Sequence, residues 1–355
     1  MAEGHRVSAS ADRASVLRWG ILGAARINKA AIVDPAALAG HRLRAIAARD
    51  RRRAESFAEL HGVETVLDSY AAVIDSPEVD AIYNPLPHGL HGPWNLQAIA
   101  AGKHVLSEKP FAANAEEAAE VATAARAGEV VVMEAFHYFY HPVAQRMREL
   151  LESAELGELH HVETVFTIPA PSPEDLRWSL PLAGGATMDL GCYCLHAQRS
   201  MARWADGEPR VLGAGAAVRA GLEQVDEWLT ADLRFPSGAT GSVRCDMAGE
   251  RRRATWKIVG SRGEATAMEF VEPHVDDRIV VTTSAGERTE RLGRRPTYAY
   301  QLEVFTAAVR DGAPVPTDAD DAVANMRLID QCYEAAGLLP RPRTTLDVPT
   351  RSAVS

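Results

Sequence analysis

Apolar positions in the first third of the chain fall into short runs, 17–22, 43–48, 81–84, 104–107 and 130–136. Between them lie Ala-rich segments whose apolar residues recur at helical spacing. Strands that alternate with helices build a parallel sheet wrapped on both faces, so 17–136 is predicted to be a doubly wound α/β domain. Past 137 the rhythm changes. A helical stretch at 143–151 gives way to period-two runs at 161–168, 228–235, 240–247 and 254–259, and Pro236-Ser237-Gly238 reads as a hairpin turn. Two helical segments, 298–310 and 318–336, close the chain, with Thr317 and Asp318 placed to cap the second and Gly337 to stop it. The second domain, 137–355, is therefore predicted to be α+β with a large, mostly antiparallel open sheet. Residues 1–16 are polar and are predicted to form a flexible tail.

Composition narrows the class. At 355 residues the chain is long enough for two domains with real cores, and 46% apolar with 24% charged residues is the balance of a soluble globular protein. The formal charge of −10 lacks the basic excess that nucleic-acid binding draws on. No run approaches the roughly 18 apolar residues of a spanning helix, and the polar N-terminus lacks a signal-peptide core. Cys192, Cys194, Cys245 and Cys332 are too few and too scattered for a disulfide framework, which points to reduced thiols in the cytoplasm.

The first strand runs into Gly20-Ile21-Leu22-Gly23-Ala24-Ala25-Arg26-Ile27-Asn28 and then a helix. That is the spacing of a dinucleotide fingerprint, with Ala25 and Asn28 where glycines commonly stand. Backbone N–H groups at such a turn face a pyrophosphate, although an ordinary strand-to-helix turn would look similar. The second strand ends at Arg49-Asp50, where the ribose is read. An arginine there clamps a 2′-phosphate and an acid takes a free 2′-hydroxyl, so the pair leans toward NADP with NAD as the other choice. Arg51-Arg52-Arg53 follow, and the whole cluster could equally be a solvated helix start.

The next two strands end at Asn84-Pro85-Leu86-Pro87-His88-Gly89-Leu90-His91 and at Ser107-Glu108-Lys109-Pro110. In an open parallel sheet the strand C-termini line the ligand crevice, which puts Lys109 and His91 near the nicotinamide end. Against this stand a surface salt bridge of Lys109 with Glu108 and a helix-capping role for His91.

With these motifs the chain resembles the Gfo/Idh/MocA oxidoreductases, named for glucose-fructose oxidoreductase and inositol dehydrogenase. The similarity extends over nearly the whole chain from Leu17. It includes Glu108-Lys109-Pro110, Met133-Glu134-Ala135-Phe136, and the stretch from Asp175-Leu176-Arg177-Trp178 through Gly184-Gly185 to Asp189-Leu190-Gly191-Cys192-Tyr193-Cys194-Leu195-His196. A tyrosine at 193, where many members have histidine, resembles the branch holding dimeric dihydrodiol dehydrogenase, NADP-linked xylose dehydrogenase and glucose-fructose oxidoreductase. The resemblance implies a Rossmann domain whose Gly23, Ala25, Arg26, Ile27, Arg49, Asp50, Pro85, Leu86, His88, His91, Glu108 and Lys109 meet the cofactor. It also implies Lys109, Tyr193 and Asp189 as catalytic residues, Arg177, Trp178 and His196 as substrate contacts, and a homodimer formed through the C-terminal sheet. Phe139 departs from the family, where arginine is common.

The same segment can be read from its spacing. A helix starting near Thr187 puts Asp189, Tyr193 and His196 at i, i+4 and i+7, one face. Oxidising an alcohol carbon requires a group to take the hydroxyl proton, and a phenol with an ordinary pKa near 10 is expected to need a nearby ammonium, Lys109 by the family analogy, to do so. Tyr193 could otherwise be a buried aromatic. Cys192, Cys194 and His196 do not suit a metal, because Cys-x-Cys cannot put both sulfurs on one helical face. The sequence thus predicts an NAD(P)-dependent dehydrogenase acting on CH–OH groups of a cyclic polyol, aldose or trans-dihydrodiol. A ketoreductase working in the NADPH-consuming direction and a non-catalytic nucleotide sensor are the alternatives.

Overall fold

The six strands that open the chain are short, and none could stand without its neighbours. In this computed structural model, which describes residues 16–346, they are β1 (Arg18–Leu22), β2 (Arg42–Ala47), β3 (Thr65–Val66), β4 (Ala81–Asn84), β5 (His104–Ser107) and β6 (Val132–Glu134). The tail expected at 1–16 lies, but for Val16, outside the described residues. The helices between the strands are α1 (Asp34–Ala39), entered through a π-helical turn at Lys29–Val33, α2 (Arg51–His61), α3 (Tyr70–Asp75), α4 (His91–Ala100) and α5 (Ala115–Gly128). Side chains cap three of them: Asp50 accepts from Arg52 N, Ser69 from Ala72 N and Asn114 from Glu117 N. All strands pair in parallel, in the order β3-β2-β1-β4-β5-β6. The order reverses between β1 and β4, so their C-terminal ends open a crevice.

Next come α6 (Pro142–Glu152) and β7 (Leu159–Thr167), then a π-helical turn at Thr187–Gly191 that continues as α7 (Cys192–Arg199). Seven more strands follow: β8 (Arg210–Val218), β9 (Asp226–Arg234), β10 (Thr240–Asp246), β11 (Arg253–Gly260), β12 (Gly263–Ala267), β13 (Arg278–Thr283) and β14 (Gly286–Arg291). With β7 they form an eight-stranded sheet, β14-β13-β12-β11-β7-β10-β9-β8, antiparallel throughout except where β7 meets β10. The expected α/β-then-α+β architecture is present, and Gly238 at φ 95 makes the expected hairpin turn. The apolar pattern did not show β3, β8 or β12–β14. β3 has only two residues, β8 is an Ala- and Gly-rich edge strand, and β14 at the other edge is mostly exposed.

The chain ends with α8 (Thr297–Asp311) and α9 (Ala319–Ala335). Asp318 caps α9, accepting from Asp320 N and Asp321 N, whereas Thr317 instead donates to Glu134 O at 2.8 Å. Both helices return to the first sheet: Phe305 of α8 packs on Trp19 of β1 with centroids 5.1 Å apart, and α9 lies along α5. Behind α9 the last described segment is anchored by a fully buried ion pair between Arg341 and Asp226. Arg341 Nε donates to Gly184 O at 2.7 Å, and Asp226 Oδ2 accepts from Thr187 N and Oγ1 at 2.7 and 2.6 Å. Gly185, at φ 132, lies so close that a Cβ there would collide with the Asp226 carboxylate. This clamp fixes the start of the π turn that carries the candidate chemistry. Among the described residues no helix is long and apolar enough to cross a membrane.

Candidate active site

Gly23 turns the chain at φ 94, its N–H bonded to Ala47 O at 2.7 Å, while buried Asn28 returns from the helix to donate to Gly23 O at 2.8 Å. The N–H groups of Ala24, Ala25, Arg26 and Ile27 have no acceptor among the described residues. Four free donors around a glycine turn at a helix start make an anion cradle, and they fit a dinucleotide pyrophosphate. Arg49 is exposed at the end of β2 beside the Tyr70 hydroxyl, and Asp50 is occupied in capping α2. Arg53, which the pattern places in a solvated helix start, donates through Nη2 to Ala24 O at 3.0 Å and so brings a second guanidinium to the cradle.

The crevice continues into a cavity of about 510 Å³ between the strand ends of the first sheet and the inner face of the second. Arg26, Ile27, Pro85, Leu86, His88, His91, Glu108, Lys109, Arg177, Asp189 and Tyr193 all line it. Lys109 Nζ donates to Asp189 O at 2.8 Å and Oδ1 at 3.1 Å and lies 4.9 Å from the centre of the Tyr193 ring. Burial opposes both charges of this pair. Even so, Lys109, His88 and Arg177 hold the Asp189 carboxyl at about 2, and Asp189 raises Lys109 above the ordinary lysine value. The ammonium and the carboxylate are therefore charged at every pH at which the protein would work.

Tyr193 is the exception to the expected electrostatics. Burial, with Tyr298 and Glu108 nearby, pushes its phenol well above its ordinary value. The expected depression is absent because burial dominates, and the ammonium bonds Asp189. The Tyr193 hydroxyl instead bonds His137 Nε2 at 3.0 Å, and His137 Nδ1 meets Thr297 Oγ1 at 2.8 Å. Burial, reinforced by Lys109, keeps His137 neutral. His137 sits in an aromatic run that is as compatible with core packing as with a site, so no spacing singled it out.

The other histidines take different places. Burial holds His88 at about 3, and its Nδ1 donates to Ala183 O at 3.3 Å. Burial also holds His91 at about 4, so its neutral ring donates to only one of the two carbonyls that flank it, Leu86 O and Pro110 O, 2.6 and 2.7 Å from its ring nitrogens. His91 thus packs between the two strand-end loops. Glu108 accepts from the Tyr83 hydroxyl at 2.8 Å.

Two expected substrate contacts lie away from the cavity. His196 is one turn further along α7, beneath the cavity floor. There it stacks on Phe136 at 4.1 Å and bonds the Tyr138 hydroxyl at 2.7 Å and Asp321 at 3.2 Å. The expected one-face α-helical register does not hold as a whole, because Asp189 lies in the π-helical turn that precedes α7 and the His196 ring enters the core. Trp178 is buried under Arg219, whose guanidinium lies 4.1 Å above the ring. Phe139 is partly buried, and Arg148 stacks on it at 3.9 Å.

Two family models match the chain. One, an oxidoreductase family with an NAD-binding Rossmann fold, covers residues 17–136, and the other, the GFO/IDH/MocA C-terminal domain, covers 144–266. The chain belongs to the GFO/IDH/MocA oxidoreductases. Among its relatives are D-xylose 1-dehydrogenase (NADP(+)) 2 of Haloferax volcanii, 34% identical, and a dTDP-3,4-didehydro-2,6-dideoxy-alpha-D-glucose 3-reductase of Streptomyces antibioticus, 40% identical. Each alignment covers 90% of this chain and 97% of the relative. The solved structure of KijD10, a 3-ketoreductase from Actinomadura kijaniata in complex with NADP and TDP-benzene, superposes with a TM-score of 0.82 at 27% identity. That match covers 90% of this chain and 98% of the neighbour.

Proposed function

We propose that this family member is an NADP-preferring dehydrogenase, able to use NAD, that moves hydride between the nicotinamide and a CH–OH carbon of an aldose, cyclic polyol or trans-dihydrodiol. The observation that carries this reading is the cavity-lining trio of Lys109, Asp189 and Tyr193, set at the ends of the first sheet's strands and reached through an anion cradle. The sugar and diol dehydrogenases among the relatives support it. Arg49 and Arg53 would take the 2′-phosphate, and Gly23, Ala25, Arg26 and Ile27 would hold the pyrophosphate. When bound, NADP supplies the hydride acceptor. Asp189 holds the Lys109 ammonium where it can donate to the substrate oxygen, and the Tyr193 oxygen receives the hydroxyl proton in oxidation or gives it in reduction. His137, bonded to that oxygen, fixes its direction. The test is a panel of aldoses, cyclic polyols and dihydrodiols with NADP, followed by the absorbance of the reduced nicotinamide. No turnover with any of them would sink the reading.

A second reading is favoured by the 40%-identical reductase and the KijD10 match: the same residues run in the reductive direction on a ketosugar. Product analysis with NADPH and a ketosugar distinguishes the two. In either case residues 17–136 are assigned to the cofactor, and residues 137–355 to the substrate wall and to a homodimer contact through the C-terminal sheet, where Leu212 and Val218 are exposed on β8. Light scattering tests the dimer. Four free, buried cysteines support a reducing, cytoplasmic setting.

A further inference from the structure

The wall of the cavity opposite the first sheet carries an ion-pair cluster that the chemistry above does not use. Arg252, just before β11, donates through Nε and Nη2 to Glu269 at 3.2 and 3.1 Å, and its Nη2 lies 2.9 Å from Glu272 Oε2. Its guanidinium stands 4.9 Å over the Phe166 ring. Glu269 is buried and also accepts from Glu272 N at 3.1 Å, so it fixes the loop as well as the arginine. Arg252 and Glu272 both line the cavity, and Glu272 Oε1 has no partner among the described residues.

Two other cations lining the cavity are committed in the same way. Lys109 is held by Asp189, and Arg177 is bonded to Asp175 at 2.9 and 3.0 Å with Asp189 at 3.4 Å. Arg26 is different: its side chain is 91% exposed, 3.6 Å from Asp175, and it is the cation assigned above to the cofactor pyrophosphate. A diphosphate is recognised by cations free to form charge-assisted bonds, and a fixed carboxylate beside it repels it. Sugar hydroxyls are donors as well as acceptors, and they suit a carboxylate oxygen that lacks a partner.

We propose that Glu272, held in place by Arg252, is a specificity-determining residue that accepts hydroxyl hydrogen bonds from an uncharged sugar or polyol and excludes a substrate carrying a nucleoside diphosphate. This rests on the oxidoreductase reading and chooses between its two forms. Glu272 is partly exposed, so Glu272→Gln should fold as the wild type does, which its thermal unfolding checks. D-xylose should be oxidised with NADP by the wild type. In Glu272→Gln its KM should rise about tenfold, because the amide that replaces the carboxylate is an uncharged and weaker acceptor, while kcat holds within about twofold. Millimolar dTDP should not inhibit the NADP-loaded wild type and should inhibit Glu272→Lys. An unchanged KM in Glu272→Gln would overturn the assignment, as would a dTDP-linked sugar used by the wild type with kcat/KM at or above that of the free sugar. If neither class is turned over, the oxidoreductase reading itself fails, and ligand binding still decides the role of Glu272. Protection of the NADP-loaded protein against unfolding by D-xylose and not by dTDP supports it, and the reverse overturns it.

Discussion

Removing one oxygen atom from Tyr193 tests the proposed chemistry most directly. Burial raises this phenol above its ordinary value near 10, so the neutral form dominates throughout the working range. Less than about one molecule in a thousand carries the phenolate at pH 7. Alcohol oxidation needs the deprotonated oxygen as acceptor, and the fraction having it grows about tenfold per pH unit until the pKa is reached. Because kcat/KM reports the groups of the free enzyme, its logarithm for oxidation should climb with a slope near one from about pH 7 to 9 without levelling. Reduction needs the protonated phenol and should be flat over the same range. Lys109 and Asp189 add no limb there, since one titrates above the ordinary lysine value and the other at about 2. Tyr193→Phe should lower turnover by about 10²- to 10⁴-fold and abolish the slope. It also leaves His137 Nε2 buried without its 3.0 Å partner, which should cost about 1–3 kcal/mol in a denaturant titration. The measurement is initial rates of NADP reduction across buffers of constant ionic strength. A plateau near pH 7.5 would show that a group titrating near neutrality accepts the proton, and a slope that survives in the Phe variant would place the base elsewhere.

Lys109→Met should abolish turnover while leaving NADP affinity, read by fluorescence titration, within about threefold; because it strands the Asp189 carboxylate, it should also cost about 3–5 kcal/mol of stability. Arg49→Ala should weaken NADP binding by about 1.5–3 kcal/mol and leave NAD nearly unchanged, and equal losses for both would assign Arg49 to the helix start alone. Arg341→Met removes half of a fully buried pair and should destabilise by about 3–5 kcal/mol in chemical denaturation, with activity falling as the Gly184–Gly185 turn loosens. The stability that Asp189 contributes should be present above about pH 4 and disappear toward pH 2, because its folded-state pKa lies below that of the unfolded chain; acid titration of unfolding checks this.

Local pattern alone determined a good deal about this protein. Strand ends are set by apolar runs and the turn residues after them, so the crevice could be placed in advance, and Lys109 in it, because a lysine between an apolar strand and a proline has few other roles. Helical spacing put Asp189 and Tyr193 on one face for the same reason: their relation spans a single turn. What spacing cannot encode is depth and partner. His196, expected on that face, sits in the core, because Phe136 and Tyr138 from another element enclose it. His137 meets the Tyr193 hydroxyl across 56 residues, and Arg53 reaches Ala24 across 29. Arg252 and Glu272 are ordinary surface charges in the sequence and become a cavity wall only when the second sheet is laid against the first. The bonding of the Lys109 ammonium to Asp189 was likewise fixed by packing. Such contacts join elements distant in the chain, and only the folded backbone brings their atoms within hydrogen-bonding range.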